Sequence, residues 1–503
     1  MQRMITARGK VSRRMLLQGT LTGAMVLLAA CAPAMAPTPT TPAEKPGVQP
    51  TPTAAPAQKP AALTPTPTTA GKPAAPMPTP TPAVRQAPRG AQSVITFYTV
   101  WGGSDFRDLG TLVELFEKKQ GNKIGVELVY TPAAAGVTQY PKLMAAVAAG
   151  QPPDIANLGD YDVPQWQELG QLTNLEAHFR RDGLRLDMFW PFLRPSMSWK
   201  GGIWHLGFGV SSATLLLWNK DLFKESGLDP EKGPKTIDDI DQYDAAITKL
   251  DAQGRVVKIG IVRWTYLYTY GNAAVSWGYA FGGQWTYENY TQVTADHPAN
   301  IAAFEWVAQH AKRVGGPDKL AIIPPGFPVG QRFATGNVGM DGLVPLGLRQ
   351  VLEYKKDFNY GIGPLPHNPK TGGKPNPSWG GGFVIVIPKG AKNVDTAWEF
   401  MRWVGAEEEG AGRWYEINTA FTGRRDLPWV KRAKENPIYR PYVELLDITT
   451  NTRPMLPVSN FYFSQLHQAM EHVAYGRKEP KEALLEVKNK VTAEWERFKK
   501  ESA

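Results

Sequence analysis

Residues 93–100 read Ser-Val-Ile-Thr-Phe-Tyr-Thr-Val, the branched and aromatic composition of a strand, and residues 109–118 follow as an amphipathic helix carrying Leu112, Val113, Leu115 and Phe116. Residues 125–130 return to strand, residues 140–149 are again helical, and Pro152 and Pro153 stop that helix before Ile155. Strands and helices taking turns predict an α/β fold in which helices link successive parallel strands. The part of the chain from Ala91 to Ala503 is longer than one core usually accommodates, so two lobes are expected.

Two other patterns precede this body. Residues 15–30 form an apolar stretch behind Arg3, Arg8, Lys10, Arg13 and Arg14, the layout of an export signal and too short for a membrane span in the finished protein. Residues 32–90 repeat Pro and Thr with almost no aromatic or branched aliphatic side chains, so they cannot repay the entropy of folding; a semi-stiff tether over 31–90 is expected.

Charge follows the same division. The chain carries a formal +10, of which the leader supplies +5 and the tether +4 (Lys45, Lys59, Lys72, Arg85 and Arg89 against Glu44), leaving about +1 for the body. A nearly neutral body gives no electrostatic warrant for nucleic-acid binding. Cys31 is the single cysteine, which excludes a disulfide framework and cysteine-based metal sites in the body. His467 and His472 lie outside any His-Glu-x-x-His arrangement and read as structural; no metal or cofactor is called for.

Ser12-Arg13-Arg14-Met15-Leu16-Leu17-Gln18 resembles a twin-arginine export signal, and Leu28-Ala29-Ala30-Cys31 resembles a bacterial lipobox, in which the cysteine takes lipid after residues 1–30 are removed. That resemblance implies export in the folded state and a lipid anchor at Cys31, with the body outside the cytoplasm.

The body resembles the family 1 extracellular solute-binding proteins of ABC importers. The matching motifs are Ala149-Gly150-Gln151-Pro152-Pro153-Asp154-Ile155, the segment 216–230 with Trp218 where tyrosine is commoner, Phe333-Ala334-Thr335-Gly336-Asn337-Val338-Gly339-Met340, and Trp379-Gly380-Gly381-Gly382-Phe383-Val384-Ile385 with Ala397-Trp398-Glu399-Phe400-Met401 behind it. The resemblance implies a two-lobed periplasmic-binding-protein-like fold with solute held in the cleft. It divides the body into 91–209 with 364–413 and 210–363 with 414–503, the chain crossing near 206–210 and 360–365. It also implies a permease as partner and a monomeric receptor that is not an enzyme.

Solute class is suggested by an aromatic stretch: Trp264, Tyr266, Tyr268 and Tyr270, then Trp277, Tyr279, Trp285 and Tyr287, with few charges between them. Sugar rings present apolar C–H faces and polar rims, which suit flat aromatic faces beside carboxylates and amides. The competing role for these aromatics is to pack the second lobe. Within the resemblance, Trp101 and Asp105 after the first strand, Asp160 and Tyr161 at another strand end, and Trp379 with Gly380 face the cleft. The tryptophan usual after the Ala-Met pair is missing, and Asp341 stands there as a polar contact instead; Arg424 resembles a residue near the cleft mouth. A sugar-binding receptor is therefore expected, with a glycan-binding adhesin or a carbohydrate-active enzyme as the alternatives. An enzyme would need a carboxylate pair that does not announce itself, and no Gly-x-Ser-x-Gly motif is present. Asp154 is read as fixing a turn, and Asn219 or Asp221 as capping the helix that follows.

Overall fold

The strands in chain order are β1 (Val84–Arg85), β2 (Ser93–Thr99), β3 (Ile124–Tyr130), β4 (Ile155–Gly159), β5 (Leu206–Ser212), β6 (Leu215–Asn219), β7 (Lys249–Leu250), β8 (Val256–Ile261), β9 (Val338–Gly342), β10 (Tyr360–Pro364), β11 (Trp379–Val386) and β12 (Asn451–Thr452). They form two sheets. One has seven strands in the order β1-β3-β2-β4-β11-β12 with β5 also paired to β11, and the other has five in the order β10-β6-β9-β8-β7. This computed structural model describes residues 83–502 apart from 133–139, 213–214, 288–289 and 323–328. The leader, Arg13, Arg14, Cys31 and nearly all of the tether lie outside the described residues.

β2 runs parallel to both β3 and β4, joined by the helices Gly103–Lys119 and Pro141–Ala148, as the alternation of periods requires. Helix Gly103–Lys119 buries Leu109, Leu112, Val113 and Phe116 at three- and four-residue spacing, and Lys118 and Lys119 complement the carbonyl end of its dipole. Asp154 ties strand to helix, its carboxylate accepting from the Thr96 and Asn393 amides at 3.0 Å each. In the second sheet Asn219 caps helix Lys220–Glu225 by accepting from the Asp221 and Leu222 amides, both at 3.1 Å.

The boundaries differ from expectation in four places. The sheet begins at Val84, ahead of Ala91, because β1 pairs antiparallel with β3 and Arg85 makes a two-pronged bond to the buried carboxylate of Glu117 at 2.6 and 3.1 Å. The first crossing falls after Ser212, since all of β5 pairs with β11. Residues past 413 return to the first lobe: helix Glu408–Asn418 packs on Gly103–Lys119, and β12 runs parallel to β11. The chain rejoins the second lobe only with helix Ser459–Ala474, which packs on Tyr270–Ala280. It enters the first lobe at Trp379, not 364, because His367 and Asn368 still bond to second-lobe backbone at Lys235, Ile237 and Ala280.

Candidate functional site

Between the two sheets lies a cleft of about 230 Å³. The first lobe contributes Trp101, Gly209 to Ser211, Gly381 to Phe383 and residues 418–421; the second contributes Leu267, Tyr268, Asn272 and Val344 to Leu346. Among the described residues, Asp105 and Arg453 are the charged side chains in its lining, and Trp379 completes it.

Trp101 stands in the loop between β2 and helix Gly103–Lys119 and joins an aromatic wall. Its ring stacks with Phe208 at 5.0 Å and Trp414 at 5.3 Å, and meets Phe383 edge-on at 5.8 Å. Trp414 is fixed in turn by its indole N–H, which donates to the Phe208 carbonyl at 2.8 Å. Gly209 makes room for this wall: a Cβ there would come within 2.5 Å of the Trp101 ring. Gly209→Ala is therefore expected to displace the ring and cost about 1–3 kcal/mol of stability, the usual range for overpacking. Urea denaturation checks this, and the penalty should largely vanish when Trp101→Ala is made as well, because the two positions share one contact.

Arg453 follows β12, at the third crossing between the lobes. Its guanidinium lies over three rings, Trp379 at 4.5 Å, Tyr161 at 5.1 Å and Phe463 at 5.4 Å, the last supplied by the second lobe. Its terminal nitrogens reach Asn272 Oδ1 at 3.2 Å and Asp160 Oδ1 at 4.0 Å. Asp160 is fully buried, and burial pushes its carboxyl up to about 6 against the opposing charge of Arg453 and the Gly382 amide that donates to it at 3.2 Å. Gly382 is required here: its φ is +149°, and a Cβ would meet the Gly209 carbonyl oxygen at 2.2 Å. Trp379 links the lobes directly, its indole N–H donating to Ser276 Oγ at 2.9 Å.

Strain is concentrated on this cleft. Leu267, Tyr268 and Thr419 are lining residues with left-handed backbone, at φ of 54°, 76° and 60°. Such conformations cost of order 1–3 kcal/mol each and persist where the surroundings over-determine them. Asn272 Nδ2 donates to the Leu267 carbonyl at 2.8 Å, and the Tyr268 hydroxyl accepts from the Val344 amide at 3.2 Å. Asn272 thus connects the strained loop to Arg453.

Asp105 lies in the first turn of helix Gly103–Lys119. Burial raises its carboxyl above the ordinary range; the Asn418 hydrogen bond at 3.2 Å and the Arg349 charge oppose that rise, while Asp108 adds to it.

Trp101, Asp105 and Trp379 are thus on the cleft, and Asp160 and Tyr161 stand directly behind it, packed under Arg453. Five other expected contacts are elsewhere. Trp264 is 1% exposed and lies against His310 at 5.6 Å in the second-lobe core. Trp285, equally buried, donates to the Val275 carbonyl at 3.3 Å. Asp341 is buried in a two-pronged pair with Arg332 at 2.7 and 2.9 Å, which leaves its carboxylate no role in the cleft. Gly380 faces the first-lobe core, where a Cβ would strike Phe192; its neighbours Gly381 and Gly382 line the cleft instead. Arg424 is held by Asp426 at 2.7 and 2.8 Å and by the Ala406 carbonyl at 2.9 Å. The residues missed were Arg453, Asn272, Asn418 and Thr419. Their signals were slight: Arg453 is one arginine in an uncharged Thr-Thr-Asn-Thr-Arg-Pro run, and Thr419 follows a helix whose end carries no glycine.

Among the described residues no group of His, Cys, Asp or Glu is arranged to hold a metal ion, and no helix is long and apolar enough to cross a membrane.

Residues 111–438 match the family described as bacterial extracellular solute-binding protein. The chain is 26% identical over 298 residues to the sn-glycerol-3-phosphate-binding periplasmic protein UgpB of Shigella flexneri, covering 54% of this chain and 63% of that one. It is 25% identical over 275 residues to the maltotriose-binding protein of Pyrococcus abyssi, covering 53% and 54%. The match thus spans less than two thirds of the length of these curated relatives. Among solved structures, CpMnBP1 with mannotriose bound superimposes with a TM-score of 0.67 at 23% identity, covering 79% of this chain and 99% of that one. UgpB from Mycobacterium tuberculosis in complex with glycerophosphocholine gives a TM-score of 0.64 at 19% identity, covering 80% and 98%. These structures share the two-lobed α/β fold.

Proposed function

Because the chain belongs to the bacterial extracellular solute-binding proteins, we propose that it captures a short sugar or sugar-like solute between its lobes and hands it to an ABC-type permease driven by a separate ATPase. The observation that carries this reading is the cleft itself, where the stacked Trp101 wall meets Asp105, Asn272 and Arg453 around one cavity. A pyranose ring would lay its C–H face on the aromatic wall and turn its hydroxyls to the carboxylate, amide and guanidinium. Three chain crossings between the two sheets suit hinge closure around the solute, and the closed form is what a permease would recognise. Capture needs no covalent step. Cys31 would carry the lipid that holds the receptor at the membrane, with the Pro/Thr-rich tether as spacer and a single copy as the working unit.

A second reading concerns solute charge. Arg453 is the cation in the cleft lining, and one relative is named for binding sn-glycerol-3-phosphate, so a phosphate-bearing polyol is the other solute class to test.

Thermal denaturation of the protein against mono- and oligosaccharides, polyols, sugar phosphates and short peptides separates these readings, since a ligand bound only by the folded state raises the midpoint by mass action. A saturating rise with neutral sugars is the expected result. A rise confined to phosphorylated polyols would select the second reading, and a response to peptides alone would overturn both.

A further inference from the structure

Arg349 reaches from the second-lobe helix Pro345–Tyr354 to the first lobe. Its guanidinium lies 3.5 Å from Asp108 Oδ2 and 3.9 Å from Asp105 Oδ1, and it donates to the Ile417 carbonyl at 3.2 Å. Asn418 completes the group, one amide donating to Asp105 at 3.2 Å and to Asp108 at 2.8 Å. Asp105 and Asp108 are one helical turn apart, so two carboxylates crowd the same rim and repel. The arginine charge favours the ionised form of Asp105, and here that arginine belongs to the opposite lobe.

Resting on the reading of the cleft as a solute site, we propose that Arg349 is a positioning residue: it holds the cleft-lining carboxylate of Asp105 ionised and oriented as a hydrogen-bond acceptor only while the lobes are together. Recognition of a solute hydroxyl by Asp105 is thereby tied to closure without Arg349 touching the solute. The charged groups facing Asp105 are Asp108 on its own helix and Arg349 and Glu353 on the opposite one. Burial already raises the Asp105 carboxyl and Asp108 raises it further, so removing Arg349 acts upward and removing Asp108 acts downward. An acceptor that must be ionised loses the solute as pH falls through its titration.

Carbon-13 NMR of protein labelled at the aspartate carboxyls, recorded both ligand-free and with saturating mannobiose so that the closed form is sampled, reads this directly, the Asp105 signal being the one lost in Asp105→Asn. Arg349→Gln is expected to move the Asp105 midpoint to higher pH, Asp108→Asn to lower pH, and Arg349→Lys to hold it near its original position, with urea midpoints confirming that each variant folds. An unchanged midpoint in Arg349→Gln overturns the proposal. Calorimetry with mannobiose across the same pH range should show affinity lost at correspondingly shifted pH. If the carboxyl midpoints move as expected while mannobiose fails to bind, the positioning role stands and the sugar reading falls.

Discussion

Arg453→Met is expected to abolish solute capture while leaving a folded protein. The methionine keeps apolar contact with Trp379, Tyr161 and Phe463 but removes the guanidinium that sits over them. Losing a desolvated charged hydrogen-bonding partner typically costs about 2–5 kcal/mol, which is roughly thirtyfold to several-thousandfold in Kd. The fold survives because Asp160 need not remain an unpaired buried anion: already pushed up to about 6, it takes up a proton near neutral pH once Arg453 is gone. The sign is specific. A buried acid with a raised folded value makes stability fall as pH rises from the ordinary carboxylate range through its folded value, and the methionine variant extends that loss to higher pH. Asp160→Asn supplies the counter-test, because it leaves Arg453 with more uncompensated positive charge: an anionic solute should bind more tightly and a neutral sugar should not. Calorimetry on both variants, with denaturation curves at pH 5 and 8, checks the pair. Undiminished affinity in Arg453→Met would remove Arg453 from the site.

Asp244→Ala is expected to have the largest effect on stability. Its carboxylate is fully buried and holds Arg263, the first residue of the turn that carries Leu267 and Tyr268. It accepts from Arg263 at 2.9 Å, the Thr248 hydroxyl at 2.9 Å and the Ile261 amide at 3.2 Å, lies 3.0 Å from His310 Nδ1, and also pairs with Arg313. Removing it leaves Arg263, itself buried and stacked over Trp306 at 3.9 Å, with only Asp241 at 2.8 Å as counterion. Breaking one partner out of a buried ionic group costs about 3–5 kcal/mol. Burial would raise the Asp244 carboxyl, but His310, Arg263 and Arg313 hold it well below the usual range. Its stabilisation is thus complete above the ordinary carboxylate range and is lost as pH falls toward its folded value. His310, pushed down by burial, adds a loss that starts as pH falls through the ordinary imidazole range. Urea midpoints at pH 7 and pH 3, measured in a His310→Gln background so that the imidazole does not titrate, test this: the gap between protein with and without Asp244 should narrow once pH falls below the ordinary carboxylate range, and a constant gap would contradict the assignment.

The expectations that read correctly rest on local pattern. Ile95 and Phe97 on β2, the three- and four-residue spacing in helix Gly103–Lys119, and the Asn219 cap each depend on neighbours a few positions away. The aromatic stretch from Trp264 to Tyr287 shows where this fails. Composition marks it as unusual, yet it cannot say that Trp264, Tyr266, Trp277 and Trp285 point inward while Tyr268 turns to the cleft, because a kinked run with two left-handed residues breaks any regular period. Asp341 was misread for a related reason: its partner Arg332 precedes it in a short helical turn, and nothing local announces a buried pair.

Alternation of periods, the proline stops and the length of the body were enough to determine an α/β protein in two lobes, and motif order was enough to place its family. Neighbour-to-neighbour sterics and burial periodicity are short-ranged, so a linear chain displays them. The cleft chemistry was decided only in three dimensions. Arg453, Asn272 and Asp160 come from distant stretches, and Arg349 meets Asp105 from the opposite lobe. A charge in a low-dielectric site is valued by what the fold packs around it, and those neighbours are assembled by chain crossings that no local pattern records.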